Sequence, residues 1–245
     1  MNVYLITGIR MLSNNFLALL FTFIAALAWL RINDTLAHKG LIDNQLSRKI
    51  IHMGTGPIFV LCWLLFPGNP YDRFLAALVP GLITIQFVLV GFGIIKDQAA
   101  VQAMSRSGNP KEILRGPLFY GILFVLITVL YWLESPIGIV GLMLMCGGDG
   151  LADILGRRYG KTTLPWSGEK TWIGSIGMLT GGWIFAAGIV LVYVLVGIFP
   201  GPFNSYLLPV TLIAMIGTLV ESLPLRDIDN ITVTISAIIV GHLVF

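Results

Sequence analysis

The sequence predicts an all-α polytopic membrane protein that forms a single domain over residues 1–245. Only 11% of the residues are charged, 56% are hydrophobic, and the mean hydropathy is +0.89. These values lie well outside the usual range of soluble domains. No long polar linker divides the chain. The class is helical because a segment inside the bilayer must satisfy its own backbone hydrogen bonds.

Seven apolar runs approach the length of about 20 residues that a hydrocarbon core of roughly 30 Å requires. We expect each to form a membrane-spanning helix: 12–30, 50–66, 74–95, 117–133, 173–198, 206–223 and 230–245. A further apolar run, 137–145, is too short to cross alone. We expect it to be the membrane-embedded start of a helix that continues through Asp149. The prediction is therefore a bundle of about seven helices, or eight with this one.

Basic residues orient the predicted bundle. Of the 15 lysines and arginines, all except Arg10 and Arg73 fall on one side of these spans. The positive-inside rule then predicts an outside N-terminus and a cytoplasmic loop at 147–171. The first segment lacks the basic start and the small-residue cleavage pattern of a secretory signal. It is also too poor in serine and arginine for a transit peptide, so we expect a prokaryotic, cyanobacterial-type plasma or thylakoid membrane.

The densest polar segment is CGGDGLADILGRRYGKTTLPWSGEK, residues 146–170. Asp149 and Asp153 are four residues apart, so on a helix they share a face, with Arg157 one turn further on. Two such carboxylates can hold Mg²⁺ while nucleotide phosphates and water complete its coordination. Carboxylates this close to an apolar span are costly unless they serve a function. We therefore expect Asp149 and Asp153 to be metal ligands and catalytic residues.

Other residues of this segment are candidates for phosphate binding. Gly148 and Gly150 would let backbone approach a ligand, and a helix end beside them would offer free N–H groups. Lys161 and Lys170 lie on a loop that could close over the phosphates and neutralise charge during transfer. Hydroxyls at the start of the next span, Thr171 and Ser175, could serve the same anion. The alternative is that Asp153 and Arg157 form only an i,i+4 pair and that Arg158, Lys161 and Lys170 anchor the chain at the membrane surface.

Two shorter clusters fall on the same predicted face. The segment SRKIIHMGTG brings Arg48, Lys49 and His52 into the second span, where they could contact phosphates or the polar end of a substrate. In ESLPLRDIDNITV, Glu221 lies inside the apolar end of a span, which favours a functional role. Asp229 and Asn230 follow it and could equally form a helix N-cap pair.

These three segments resemble the phytol kinase family of polyprenol kinases. The central segment is also similar, more distantly, to dolichol kinases and to CTP-using phosphatidate cytidylyltransferases. The shared pattern falls on Asp149, Asp153, Gly156, Arg157, Gly160, Lys161, Lys170, Thr171, Gly174 and Ser175. The resemblance implies an integral membrane enzyme that uses CTP to phosphorylate phytol. In that family the product, phytyl phosphate, feeds tocopherol or phylloquinone synthesis in chlorophyll-containing organisms.

The residues and the resemblance together give a mechanistic hypothesis. Asp149 and Asp153 hold Mg²⁺ on the CTP phosphates, while Lys161 and Lys170, helped by Arg157, stabilise the migrating charge. The hydroxyl of an isoprenoid alcohol reaches the γ-phosphorus from the bilayer, and Asp153 or Glu221 could accept its proton. UTP in place of CTP, and geranylgeraniol, farnesol or a longer polyprenol in place of phytol, stay open.

Two other functions also fit the sequence. A lipid-phosphate cytidylyltransferase would need extra cations for its anionic acceptor, and Arg48 and Lys49 could supply them. An ion-coupled transporter could use buried acids and glycine-broken helices to bind an ion. The transporter is less favoured, because we find no internal repeat and the charged residues cluster at one surface.

Overall fold

The computed structural model describes residues 14–105, 107–225 and 228–245. Helices dominate this part of the chain, and one small antiparallel hairpin interrupts them. The helices are α1 Asn15–His38, α2 Asn44–Cys62, α3 Asp72–Gly91, α4 Gln98–Met104, α5 Gly116–Tyr131, α6 Pro136–Met143, α7 Asp149–Tyr159, α8 Trp172–Leu195, α9 Asn204–Glu221 and α10 Asp229–Val244. The hairpin strands are β1 Thr163–Leu164 and β2 Ser167–Thr171.

Six helical segments of the described residues are long and apolar enough to cross a membrane. They are Asn15–Ala37, Asp72–Gly91, Pro110–Tyr131, Pro136–Tyr159, Trp172–Leu195 and Asn204–Glu221. This finding confirms the predicted class of all-α polytopic membrane protein. The other two expected spans correspond to α2, whose first turns carry basic residues, and to α10, which has only 16 residues. Orientation stays a prediction, and Arg10 lies outside the described residues.

The helix that carries Asp149 begins deep in the bundle. Residues Pro136–Tyr159 form one continuous path in which a π-helical turn, Leu144–Gly148, joins α6 to α7. This confirms that the apolar run 137–145 starts a helix that continues through Asp149. The expected helix end with free N–H groups at this point is wrong, because the backbone remains helical.

Gly148 and Gly150 lie in close contacts between helices. A Cβ at Gly148 would lie 2.6 Å from the sulfur of Met178, and one at Gly150 would overlap the side chain of Met53. Neither glycine belongs to the lining of the cavity described below, and their phosphate contacts stay a prediction. A π turn next to these contacts is a local distortion of the kind often found near functional sites.

Glycines also let α7 and α8 pack with their backbones in contact. A Cβ at Gly177 would lie 2.8 Å from the carbonyl oxygen of Leu151, and one at Gly181 would overlap the carbonyl oxygen of Gly147. Small residues four apart allow this close approach between membrane helices. The same packing brings Thr171, which caps α8 by accepting from the Gly174 amide at 3.1 Å, beside the end of α7.

The hairpin was not expected, because the sequence indicated only a loop after Gly160. Strands β1 and β2 pair antiparallel, and Trp166 lies in the turn between them. Its indole N–H donates to Ser222 Oγ at 3.2 Å, and its ring meets Trp172 edge-on at 5.8 Å. The hairpin is thereby fixed against the end of α9, which sets the position of Lys170 on β2.

Helix α2 packs between α1 and the α6–α7 path. Gly54 lies against the indole of Trp29, whose N–H donates to the Ile51 carbonyl oxygen at 3.3 Å. Gly56 lies against the side chain of Cys146 in the π turn. These two contacts fix α2 so that Lys49, near its start, faces α7.

Candidate active site

One cavity of about 950 Å³ extends between the helices and is polar at one end and apolar at the other. The apolar end lies among α1, α2, α3 and α5, and the polar end among α2, α7, β2, α8, α9 and α10. Most of the sequence-predicted site residues line the cavity: Arg48, Lys49, His52, Asp149, Asp153, Arg157, Gly160, Lys170, Thr171, Ser175, Glu221, Asp229 and Asn230. The fold thus brings together three segments that are far apart in the chain.

The first group of polar residues, which we call the aspartate cluster, consists of Lys49, His52, Asp149, Asp153 and Arg157. The ammonium of Lys49 lies 2.8 Å from Asp149 Oδ2 and 3.9 Å from Asp153 Oδ2. His52 Nε2 is 3.3 Å from the same Asp149 oxygen. The side chains of Lys49 and Asp149 are only 13% and 14% exposed, so water screens this pair weakly. Asp149 is therefore a buried carboxylate held between two basic side chains.

Arg157 completes the aspartate cluster from the next turn of α7. Its Nε and Nη2 donate to Asp153 Oδ1 at 2.9 and 2.6 Å, and its Nη1 donates to Gln45 Oε1 at 2.8 Å. The predicted shared face of Asp149, Asp153 and Arg157 is confirmed. The i,i+4 pair considered as the alternative is also present, and the guanidinium still borders the cavity.

The second group, which we call the hairpin cluster, consists of Lys170, Glu221, Asp229 and Asn230. Lys170 forms an ion pair with Glu221, and its ammonium is 3.7 Å from Asp229 Oδ2. Burial alone would lower the pKa of Lys170, but the neighbouring carboxylates of Glu221 and Asp229 outweigh it and raise that pKa above the usual value. Lys170 therefore stays positively charged at neutral pH and lies beside two acidic side chains, Glu221 and Asp229.

Two buried polar atoms at the cavity wall have no hydrogen-bond partner in the described part of the chain. They are Asn230 Oδ1 and Ser175 Oγ, and Asn230 is only 9% exposed. An unsatisfied buried polar group costs about 1–3 kcal/mol. A molecule bound in the cavity would supply partners only if these side chains turned towards it, because neither atom is accessible as it stands. Asp229 Oδ1 also accepts from the Asn230 amide at 3.1 Å, which fits its alternative role at the start of α10.

The aspartate cluster has the donor set for Mg²⁺ bound together with phosphates. Among the described residues no group of three or more His, Cys, Asp or Glu side chains could hold a metal ion by itself. Asp149 and Asp153 nevertheless both turn a carboxylate oxygen towards one cation, Lys49. Mg²⁺ is commonly bound through one or two carboxylates, with phosphate oxygens and water completing the octahedron. The two aspartates therefore fit Mg²⁺ and do not fit an all-protein cage.

Lys161 is the one predicted catalytic residue that the fold leaves outside the cavity. Its side chain is exposed, beyond the end of α7 and before β1. The structure thus brings Lys170, and not Lys161, into the polar end. The catalytic role of Lys161 stays a prediction that needs movement of the chain between α7 and β1.

Sequence reasoning missed Tyr120, which lies where the polar and apolar ends meet. Its hydroxyl donates to the His52 carbonyl oxygen at 2.8 Å, and its ring centroid is 4.5 Å from that of His52. Tyr120 sits inside an apolar run, so no charge marked it.

Three charged residues that were not predicted as site residues also line the cavity: Glu112, Arg115 and Glu169. The charged segment KEILR precedes the α5 span and could have indicated two of them, Glu112 and Arg115.

The apolar end, which we call the apolar arm, is built by four helices. Its walls come from α1, α2, α3 and α5, and its members are Ala26, Leu30, Ile51, Thr55, Phe59, Val79, Ile83, Phe87, Tyr120 and Phe124. The rings of Phe59 and Phe124 meet edge-on at a centroid distance of 5.7 Å. A molecule with a charged head and a hydrocarbon tail would match the two ends of this cavity.

Curated relatives of the chain are named as kinases of isoprenoid alcohols. A probable chloroplastic phytol kinase 1 of Oryza sativa subsp. japonica is 40% identical over 222 residues, which cover 90% of this chain and 71% of the relative. The chloroplastic phytol kinase 1 of Arabidopsis thaliana is 37% identical over 86% of this chain and 70% of its own. The chloroplastic farnesol kinase of Arabidopsis thaliana is 36% identical, with coverages of 91% and 73%. No family model and no solved structure matches the chain.

These comparisons overturn the expected location. The sequence indicated a prokaryotic plasma or thylakoid membrane, whereas the relatives are named as chloroplastic proteins and come from plants. The expectation of a prokaryotic protein is therefore wrong. It rested on the composition of the first segment, which does not distinguish bacterial membranes from plastid membranes.

Proposed function

The chain belongs to the phytol kinase family, and we propose that it transfers the γ-phosphoryl group of CTP to phytol, or to a similar isoprenoid alcohol, to give phytyl phosphate. The names of the relatives support an isoprenoid alcohol kinase. One structural observation carries the proposal: the aspartate cluster and the apolar arm open into the same cavity. A phosphoryl donor at one end and a lipid tail at the other would meet near Asp149.

The polar end supplies the electrostatics that phosphoryl transfer requires. The transition state is loose, so positioning and charge stabilisation contribute more than a strong base. Lys49, Arg157 and Lys170 border the cavity from different elements, and each would neutralise charge on a nucleotide triphosphate. Fixed cations in a buried site act strongly because little solvent has to reorganise around them.

Asp149 and Asp153 would hold Mg²⁺ when the nucleotide binds. When bound there, the ion would supply positive charge that offsets the negative charge of the phosphates. The ammonium of Lys49, which lies against both carboxylates, would then turn towards the phosphates on its flexible side chain. His52, 3.3 Å from Asp149, would help to keep that carboxylate oriented.

The alcohol would lie with its tail in the apolar arm and its hydroxyl beside the aspartate cluster. The hydroxyl oxygen attacks the γ-phosphorus, the bond from that phosphorus to the bridging oxygen breaks, and the nucleoside diphosphate leaves. The proton of the hydroxyl passes to a carboxylate, for which Asp153 and Glu221 are the candidates. We propose that the reaction takes place at the membrane face on which most of the lysines and arginines are predicted to lie, and that the product supplies tocopherol synthesis.

The experiment uses purified protein, phytol, Mg²⁺ and CTP labelled at either the γ- or the α-phosphate. Label in the lipid fraction from γ-labelled CTP alone is the expected result. Label from α-labelled CTP that depends on an added lipid phosphate would replace the kinase with a cytidylyltransferase. No labelled lipid with any isoprenoid alcohol and either CTP or UTP would overturn the proposal and favour the transporter.

A further inference from the structure

The apolar arm has a defined depth. Cavity-lining residues run from Lys49 to Phe59 on α2, from Gly116 to Phe124 on α5, and from Phe87 back to Val79 on α3. At 1.5 Å per helical residue these stretches rise by about 15, 12 and 12 Å. On α2 the arm therefore extends about 15 Å from Lys49 to Phe59, and the lining stretches of α5 and α3 are each about 12 Å long.

This depth is comparable with the length of a short isoprenoid tail. Bonds of an extended chain advance by roughly 1.2 Å each, judged from the reach of an extended polypeptide. Farnesol, with about 12 carbons in its main chain, would then reach roughly 13 Å, and phytol, with about 16, would reach roughly 18 Å. An extended farnesol tail therefore matches the depth of the arm, whereas an extended phytol tail is longer than the arm.

Aromatic rings close the far end of the arm. Phe59 and Phe124 are 4% and 2% exposed, and their rings are in edge-on contact. Behind Phe59 lies Trp63 at a centroid distance of 6.0 Å, and Trp63 in turn contacts Trp132 at 5.0 Å. Neither tryptophan belongs to the described lining of the cavity. A tail that reaches the two phenylalanines therefore meets a packed wall.

We propose that Phe59 and Phe124 form the end stop of the apolar arm and set the longest alcohol that the enzyme accepts. The inference rests on the proposed kinase function and adds a specificity-determining pair to it. Related proteins named for phytol and for farnesol match this chain about equally well. A difference of one isoprene unit between substrates can therefore arise within one architecture, and a local end stop is a physical means to produce it.

The first test removes the end stop. The variants Phe59→Ala and Phe124→Ala are compared with the wild type on geraniol, farnesol, phytol and a prenol two isoprene units longer than phytol. We expect the ratio of kcat/KM for the longest alcohol to that for phytol to rise about tenfold or more, because even one methylene in an apolar pocket changes discrimination by about 10-fold or more. Geraniol turnover should change least, because its shorter tail does not reach the two rings.

Phe66→Ala is the matched control. Phe66 is 1% exposed and contacts Trp132 at 5.7 Å, but it does not line the cavity. Phe66→Ala deletes the same ring from the same apolar region. It should lower the thermal stability without changing the order of the kcat/KM values for the four alcohols. Should Phe66→Ala shift the chain-length profile as much as the two cavity variants, the end stop would be refuted.

The second test shortens the arm. Thr55 lines the cavity one helical turn before Phe59, so Thr55→Phe would place a ring in open space and not in packed core. We expect the ratio of phytol to geraniol turnover to fall about tenfold, with geraniol turnover retained. Retained geraniol turnover also shows that the variant is folded.

The two proposals fail in different ways. If the wild type phosphorylates no alcohol, both the proposed kinase function and the proposed end stop are wrong. If the wild type phosphorylates phytol but the three cavity variants keep its chain-length profile, the end stop alone is wrong. If Phe59→Ala and Phe124→Ala shift the preference towards longer alcohols and Thr55→Phe shifts it towards shorter ones, the end stop is supported.

Discussion

The two ends of the cavity are built in opposite ways. At the polar end, charged side chains meet in pairs. Lys49 with Asp149 and Lys170 with Glu221 join distant segments, whereas Arg157 with Asp153 forms an i,i+4 pair within α7. At the apolar end, rings and aliphatic side chains enclose space without directional contacts. The polar end therefore depends on the position of individual atoms, whereas the apolar arm depends on volume.

This difference separates the effects that substitutions should have. Changes at the polar end should lower turnover for every alcohol by a similar factor, because all alcohols receive the same phosphoryl group. Changes in the apolar arm should reorder the alcohols and leave the best substrate nearly as fast as before.

Removal of divalent cations should have the largest effect. Chelation with EDTA should lower turnover at least about 1000-fold for farnesol and phytol alike, because Asp149 and Asp153 would lose the ion that neutralises the phosphates. Label transfer is measured before and after Mg²⁺ is restored, with EDTA already saturated by Mg²⁺ as the control. Full turnover in the chelated enzyme would show that the reaction does not need a divalent cation.

Replacement of Lys49 should have the next largest effect. Lys49→Ala should lower kcat about 100- to 1000-fold, because one fixed cation beside the reacting phosphates is lost. Lys39→Ala, an exposed lysine at the end of α1, is the control and should retain turnover within about threefold. Equal losses in both variants, or a loss confined to one alcohol, would contradict the role given to Lys49.

Replacement of the two lysines after α7, Lys161 and Lys170, should lower turnover to different extents. Lys170→Met should lower kcat about 100-fold, whereas Lys161→Met should stay within about threefold, because only Lys170 borders the cavity. Since Lys170→Met also leaves Glu221 buried without its cation, the double variant with Glu221→Gln is needed. It should recover thermal stability but not turnover. If Lys161→Met is the more damaging change, the loop must close over the nucleotide as the sequence first suggested.

A packing change should have the smallest effect on turnover. Gly177→Ala would force α8 away from the backbone of α7, and we expect turnover to fall about tenfold and stability to fall by about 1–3 kcal/mol. Gly188→Ala on the same helix meets no atom within 4 Å and should leave both unchanged or slightly improved. Equal Tm values for the two alanine variants would show that α7 and α8 do not need this contact.

The sequence predicted the polar end well, because charge is costly in a membrane and therefore conspicuous. The spacing of Asp149, Asp153 and Arg157 placed them on one face, and the structure confirms this face. For Gly148 and Gly150 the sequence could not separate two uses, since a glycine in a membrane helix is as useful for close packing as for binding a ligand. The structure shows Met178 and Met53 packed against them.

The apolar arm could not be predicted. Phe59 and Phe124 are two of 14 phenylalanines, and nothing in their sequence context separates a cavity wall from a lipid-facing or core position. The hairpin that carries Lys170 was also missed, because a two-residue strand such as Thr163–Leu164 leaves no periodic pattern. Long-range packing decides both features.

In the proposed mechanism, phosphoryl transfer to the alcohol takes place at Asp149. The most direct measurement is transfer of label from γ-labelled CTP to phytol by purified wild type and by Asp149→Asn, with the amount of each protein in the membrane and its Tm determined in parallel. We predict labelled phytyl phosphate from the wild type and at least about a 1000-fold lower rate from the variant, at equal membrane content. A variant that labels phytol at a near-wild-type rate would contradict the claim.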